Sequence, residues 1–135
     1  GRSEEATHLL KKALEINKSN STASCLLAGI LNDLNSSDAL KYYKMSTALN
    51  PRCYLAYRGL GNFYLKMKDY TKAEENYTEA IGVNPQRFSP IYKNRGLVRL
   101  ELNKTKQAKE DFKKYLEQMP EARDKANILQ AIAEL

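Results

Sequence analysis

Three residue columns recur every 34 or 35 positions along this 135-residue chain: Ala39, Ala73 and Ala108; Tyr43, Tyr77 and Phe112; Pro51, Pro85 and Pro120. A fixed period of this length means a row of copies of one small unit, each unable to bury its apolar face alone and each completed by its neighbours. Within every unit the aromatic follows the alanine by four residues and the proline comes eight later. Side chains at i and i+4 share one face of a helix, and the residue before a proline is pushed out of the helical region, so each unit closes with a helix of about four turns. Asn17, Asn50 and Asn84 mark three of these ends. Ahead of each alanine stands a short polar break, NSS at 35–37, KDY at 68–70 and NKT at 103–105, preceded by another amphipathic stretch. The unit is therefore a helical hairpin, and the spacing predicts eight helices, over 3–17, 20–33, 37–49, 54–67, 70–83, 89–102, 105–118 and 121–134.

Residues 54–87 place Tyr57, Leu60, Gly61, Tyr64, Tyr70, Ala73, Tyr77, Ala80 and Pro85 in an order that resembles the tetratricopeptide repeat family. Residues 89–122 share Tyr92, Gly96, Ala108, Phe112 and Pro120, but have Arg99 where that family has a tyrosine and Tyr115 in place of a small residue. Residues 20–53 agree mainly in their second helix. The resemblance implies an all-α fold, a right-handed superhelical array of antiparallel helix hairpins (an α-solenoid). Residues 1–135 then form a single domain: 1–18 as the second helix of a partial repeat, 19–53, 54–88 and 89–120 as three repeats, and 121–135 as a capping helix. In that last helix Ala126, Leu129, Ile132 and Ala133 form an apolar stripe. The first helix carries Leu9, Leu10, Leu14 and Ile16 with no cap before it, which leads us to expect weak self-association through 3–17.

Glycine inside a helix costs roughly 1 kcal/mol relative to alanine, so the GLG of YRGLGNFYL at 57–65 requires a return. Two helix axes approach closely where one lacks a side chain, and Gly61 is expected to face the Ala73 region. Gly59 falls on no repeated column and is a candidate for the floor of an inner groove.

Catalytic chemistry finds little footing. His8 is the single histidine, and the glycines are inside a helix and lack the spacing of a phosphate loop. Cys25 and Cys53 make no CxxC pair and read as small apolar residues; the acidic residues read as solvated helix exteriors. No cofactor or metal is expected, and the chain is read as non-enzymatic. The net charge of +6 permits acidic partners without selecting one. The lysines between 104 and 114 are interrupted by Glu110 and Asp111 and describe an outer face better than a phosphate track. No run of 18 apolar residues and no basic-then-apolar leader occurs, and the composition lacks a disulfide framework, so an intracellular setting is expected without membrane insertion.

In the resembled family the first helix of each unit lines a concave surface through its second, fifth, sixth, ninth and twelfth residues. Carried onto this chain, those places are Ser21, Ser24, Cys25, Ala28 and Leu31, then Leu55, Arg58, Gly59, Asn62 and Leu65, then Pro90, Lys93, Asn94, Leu97 and Leu100. The candidate peptide-binding residues are Arg58, Asn62, Leu65, Lys93, Asn94 and Leu97. Two cations beside two carboxamides suit a carboxylate and an extended backbone. The set is similar in part to the carboxylate clamp of co-chaperone repeats, with Arg58 in place of a lysine and Asn62 and Asn94 as its asparagines. The clamp's two remaining basic places fall on Asp124 and Ile128, or on Arg123 and Asn127 after a one-residue slip. The expected role is an adaptor that binds a protein or peptide, with acidic or C-terminal carboxylate groups as its ligand chemistry. Two alternatives stand beside it: an RNA-binding helical array, and an accessory domain of a larger enzyme.

Overall fold

The computed structural model describes residues 1–84 and 89–135; Pro85, the middle member of the proline column, lies outside the described residues. The helices are α1 (Arg2–Ile16), α2 (Ser21–Asp33), α3 (Asp38–Leu49), α4 (Tyr54–Lys66), α5 (Tyr70–Val83), α6 (Ser89–Glu101), α7 (Thr105–Gln118) and α8 (Lys125–Glu134). No strand occurs among the described residues. α2 with α3, α4 with α5 and α6 with α7 pack as antiparallel hairpins, and the hairpins stack in chain order into a right-handed superhelical array.

Local sequence accounts for the punctuation. Asn20 and Asp69 cap α2 and α5, their side-chain oxygens accepting from Ala23 N at 2.9 Å and Lys72 N at 3.2 Å. Asn17, Asn50 and Asn84 end α1, α3 and α5 in extended conformation, as the sequence led us to expect. Between the two helices of each hairpin stands one residue of left-handed backbone: Asn35, Lys68 or Asn103. The amide after it reaches back five residues, from Ser36 to Leu31 O, from Asp69 to Tyr64 O and from Lys104 to Arg99 O, which closes the first helix as a Schellman motif.

That repeated turn exposes a register difference. Asn35 lies four residues before Ala39, whereas Lys68 and Asn103 lie five before Ala73 and Ala108, so the first turn is one residue short. α2 and α4 accordingly start 33 residues apart rather than 34. Ser24, Ala28 and Leu31, carried onto the groove wall at a spacing of 34, are buried in the core instead. Ala28 thus occupies the place of Gly61.

One apolar core runs from Leu14 of α1 to Val98 of α6, and a second gathers Tyr92, Ala108, Phe112, Tyr115, Ala122 and Ile128. The glycines belong to it in a way the sequence pointed to only halfway. A Cβ on Gly61 would stand 2.4 Å from the Tyr77 ring, and one on Gly96 would stand 2.7 Å from Phe112, so the notch admits the aromatic column rather than the alanine region. A Cβ on Gly59 would stand 2.3 Å from Tyr43 of the preceding hairpin. With a methyl at Ala28, the Tyr43 ring finds its close approach on α4, and Gly59 makes the room.

At the last helix Ile128 is buried while Leu129 of the expected inward stripe is 48% exposed, and Ala126 and Ala133 are exposed as well. The chain reaches Ile128 through a turn at 119–124, so this helix begins four residues later than the periodicity indicated. At the opposite end Leu9 and Ile16 of α1 are 64% and 89% exposed.

Acidic side chains are not all solvated. Asp111 of α7 is only 3% exposed and accepts from Arg95 Nε at 3.0 Å and Nη2 at 2.7 Å, and from Arg99 Nη1 at 2.9 Å. Arg99 also donates to Glu74 of α5 at 2.8 Å, and Lys104 reaches the other Glu74 oxygen at 2.6 Å. Burial alone would raise the Glu74 carboxyl, but hydrogen bonds from Lys104 and Arg99 outweigh it and hold it below the usual carboxylate range. The sequence reading of these acids as exterior is corrected by this network, which ties α5, α6 and α7 together.

Candidate functional site

The first helices α2, α4 and α6 follow one another along one side of the array, and between α2 and α4 lies an open cavity of about 370 Å³. Cys25, Leu26 and Gly29 of α2 face Leu55, Arg58 and Asn62 of α4 across it, with Tyr43 and Gly59 beneath. Leu26 and Leu55 are exposed there, which gives the cavity an apolar lip beside the Arg58 guanidinium. Of the residues that α2 contributes, Cys25 is among the places carried over from the sequence, while Leu26 and Gly29 lie one register step beyond Cys25 and Ala28. The short first turn was the signal that would have found them.

Arg58 and Asn62 therefore share one wall. Asn62 and Asn94 are brought together by a residue that sequence reasoning placed only in the core. The buried Tyr77 hydroxyl donates to Asn62 Oδ1 at 2.7 Å and is itself hydrogen-bonded by the Asn94 side chain. Burial pushes the Tyr77 phenol well above its ordinary value, so it stays a neutral donor. With its oxygen so engaged, the Asn62 carboxamide offers its NH2 group to a ligand.

Lys93 is differently placed. Its amino group meets Asp124 Oδ2 at 2.8 Å, and Tyr115 Oη donates to Asp124 Oδ1 at 2.7 Å. Lys93 Nζ also lies over the Tyr115 ring, 5.6 Å from its centroid. The hydrogen bond from Lys93, and then the one from Tyr115, hold the Asp124 carboxyl below its ordinary value. Of the two remaining clamp places in strict register, one is thus the acid that pairs with Lys93 and the other is the buried Ile128. Leu97 is exposed on α6, while Leu65 is half-buried against the apolar core.

The two cysteines, far apart in sequence, lie against one another near Ser46, whose hydroxyl donates to Ser21 O at 2.9 Å. Burial first, and then the neighbouring Cys53, push the Cys25 thiol up to about 12, so it is an uncharged lining group rather than a nucleophile. Among the described residues no group of three His, Cys, Asp or Glu side chains is arranged to hold a metal, and no helix is long and apolar enough to cross a membrane.

The tetratricopeptide repeat family matches residues 54–87 and again residues 89–121. The type IV pilus assembly protein PilF of Pseudomonas aeruginosa is 34% identical over 119 residues, which make up 86% of this chain and 47% of PilF. The chain thus spans about half the length of that curated relative. The crystal structure of MamA superposes with a TM-score of 0.86 at 22% identity, over 98% of this chain and 75% of MamA. YrrB, described as a TPR protein with an unusual peptide-binding site, superposes with a TM-score of 0.76 at 24% identity, over 81% of this chain and 56% of its own.

Proposed function

This chain belongs to the tetratricopeptide repeat family, and from that premise we propose that it is a non-catalytic adaptor holding a protein or peptide segment along its first-helix groove. Repeats of this family are protein-interaction modules. The observation that carries the reading is the cavity between α2 and α4, where a guanidinium, a carboxamide and two exposed leucines meet in one recess. A recess where a few polar groups converge beside apolar side chains is a common form of binding site. The donors there, Arg58 and the Asn62 NH2, suit backbone carbonyls and carboxylates. Asn94, Lys93 and Leu97 extend the same track along α6, and Leu65 supports it from beneath α4. The ligand so described is an extended segment with acidic or C-terminal carboxylate groups. The exposed leucine and isoleucine of α1 supply a surface for weak self-association.

The test is affinity capture of partners from lysate by the parent protein and by an Arg58→Ala, Lys93→Ala variant. Capture should fall by at least tenfold in the variant while its helical circular dichroism stays unchanged. Equal recovery of the same partners by both proteins would remove the groove from the account.

A further inference from the structure

Cys25, at the fifth place of α2, lines the α2–α4 cavity together with Leu55, at the second place of α4. Lys93, at the fifth place of α6, pairs instead with Asp124 at the N-cap of α8, two positions short of the place that Leu55 holds in α4. The carboxylate of Asp124 is therefore where a ligand's acidic group would sit if it used the second cation of the track. Both side chains remain partly open, at 31% for Lys93 and 29% for Asp124, so solvent and ligand reach the pair.

We propose that Asp124 is a built-in stand-in for the ligand's carboxylate: it occupies Lys93 in the empty groove and is displaced when an acidic segment binds. This rests on the groove reading above and adds its regulation. Tyr115 makes the exchange an ordered one. Its hydroxyl donates to the second Asp124 oxygen, so the acid keeps a partner on α7 after it lets go of Lys93. The lysine, held over the Tyr115 ring, is kept near its place for the incoming group. The consequence is attenuation: Asp124 competes with the ligand's carboxylate for Lys93, so the intact chain holds acidic segments less tightly than the bare cation would.

The experiment uses the full chain immobilised against a randomised octapeptide pool, prepared once with free and once with amidated C-termini. Its readout is the ratio of acidic, free-carboxyl peptides to amidated ones retained. Asp124→Asn keeps an acceptor for Tyr115 but removes the charge, and it should raise that ratio about two- to fivefold, the range expected for releasing a partly exposed ion pair. Lys93→Gln together with Asp124→Asn should erase the gain. A purely structural role for Asp124 would change stability and leave the ratio alone. Should the amide disturb the turn at 119–124, Asp124→Ser makes the same comparison. An unchanged ratio in both Asp124 variants, with Arg58→Ala still lowering retention, overturns the stand-in and spares the groove. Retention unaffected by Arg58→Ala overturns both.

Discussion

The second and third hairpins share a backbone plan and fill it with opposite chemistry. In α4 the places beneath the helix are Leu60 and Tyr64, both buried in the main apolar core. The same places in α6 are Arg95 and Arg99, which Asp111 and Glu74 neutralise. Across the preceding junction the counterpart of Glu74 is Leu40, packed against the apolar cluster. Yet Gly61 receives Tyr77 and Gly96 receives Phe112 by the same close approach in both hairpins. What these two hairpins share is therefore the notch and the ring; the flank of the interface tolerates either apolar contact or a completed ionic network. The two solutions differ in how they fail. Apolar packing loses contacts one at a time, while a buried network leaves charges stranded when one member goes.

The largest effect follows from that difference. Asp111→Ala takes the acidic partner from the Arg95 guanidinium, which is 12% exposed, and leaves Arg99 with Glu74; removing one partner of a buried ion pair costs about 3–5 kcal/mol. The matching residue of the second hairpin is Asn76, whose amide only returns to Lys72 O at its own helix surface. Asn76→Ala should stay within about 0.5 kcal/mol of the parent. Urea unfolding of the two variants reads the contrast directly. Equal, small losses would mean that the network contributes nothing beyond a surface pair.

A transplant sharpens the comparison. Arg95→Leu, Arg99→Tyr and Asp111→Asn together give the third hairpin the interior of the second while Glu74 keeps Lys104, and replacing buried ion pairs by packed groups of similar size is often neutral or stabilising by about 1–4 kcal/mol. The triple variant should therefore unfold at equal or higher urea than the parent. It should also tolerate acid better. The Glu74 carboxyl is depressed in the folded chain, so its contribution is present above the unfolded value of 4.5 and fades as pH falls through the lower folded value. With Arg99 gone and Lys104 alone holding Glu74, that acid-dependent loss should shrink. A triple variant less stable than the parent at neutral pH would show that the ions are required by the shape of the third hairpin.

The repeat itself was legible because its columns are set by sterics that admit few substitutes: a small residue, a ring four positions on, a break twelve after the alanine. The network was not legible, because Arg99 in a tyrosine place is by itself only a mismatch. Its meaning depends on Asp111 and Glu74 arriving from two other helices, and each of these acids looks like surface when read along its own helix. The groove was half legible. Arg58 and Asn62 both line the α2–α4 cavity because α4 keeps the family register throughout. The α2 side was missed by one residue, since a deletion between Ser36 and Ala39 shifts the first helix against the second while every column of the second helix stays in step. Asp124 was seen as an acid in a basic place, but nothing in sequence spacing shows that its partner is the neighbouring Lys93 of the same track.

The smallest expected effect lies where the two hairpins turn. Both place a left-handed residue between their helices, at φ 57 for Lys68 and φ 58 for Asn103. A residue with a Cβ pays about 1–2 kcal/mol in that region, asparagine less than lysine because its side chain bonds locally to the backbone. Glycine pays nothing there but loses more freedom on folding, which offsets roughly 0.5–1 kcal/mol of the relief. Lys68 is exposed, so its replacement removes no packing. Lys68→Gly should therefore stabilise the chain by about 0.5 kcal/mol, and Asn103→Gly should leave it unchanged, both read as shifts in the urea midpoint at constant slope. If Lys68→Gly instead destabilises, the lysine stem must contribute something at this turn that its exposure does not suggest, and the second hairpin would owe part of its stability to a contact the third does without.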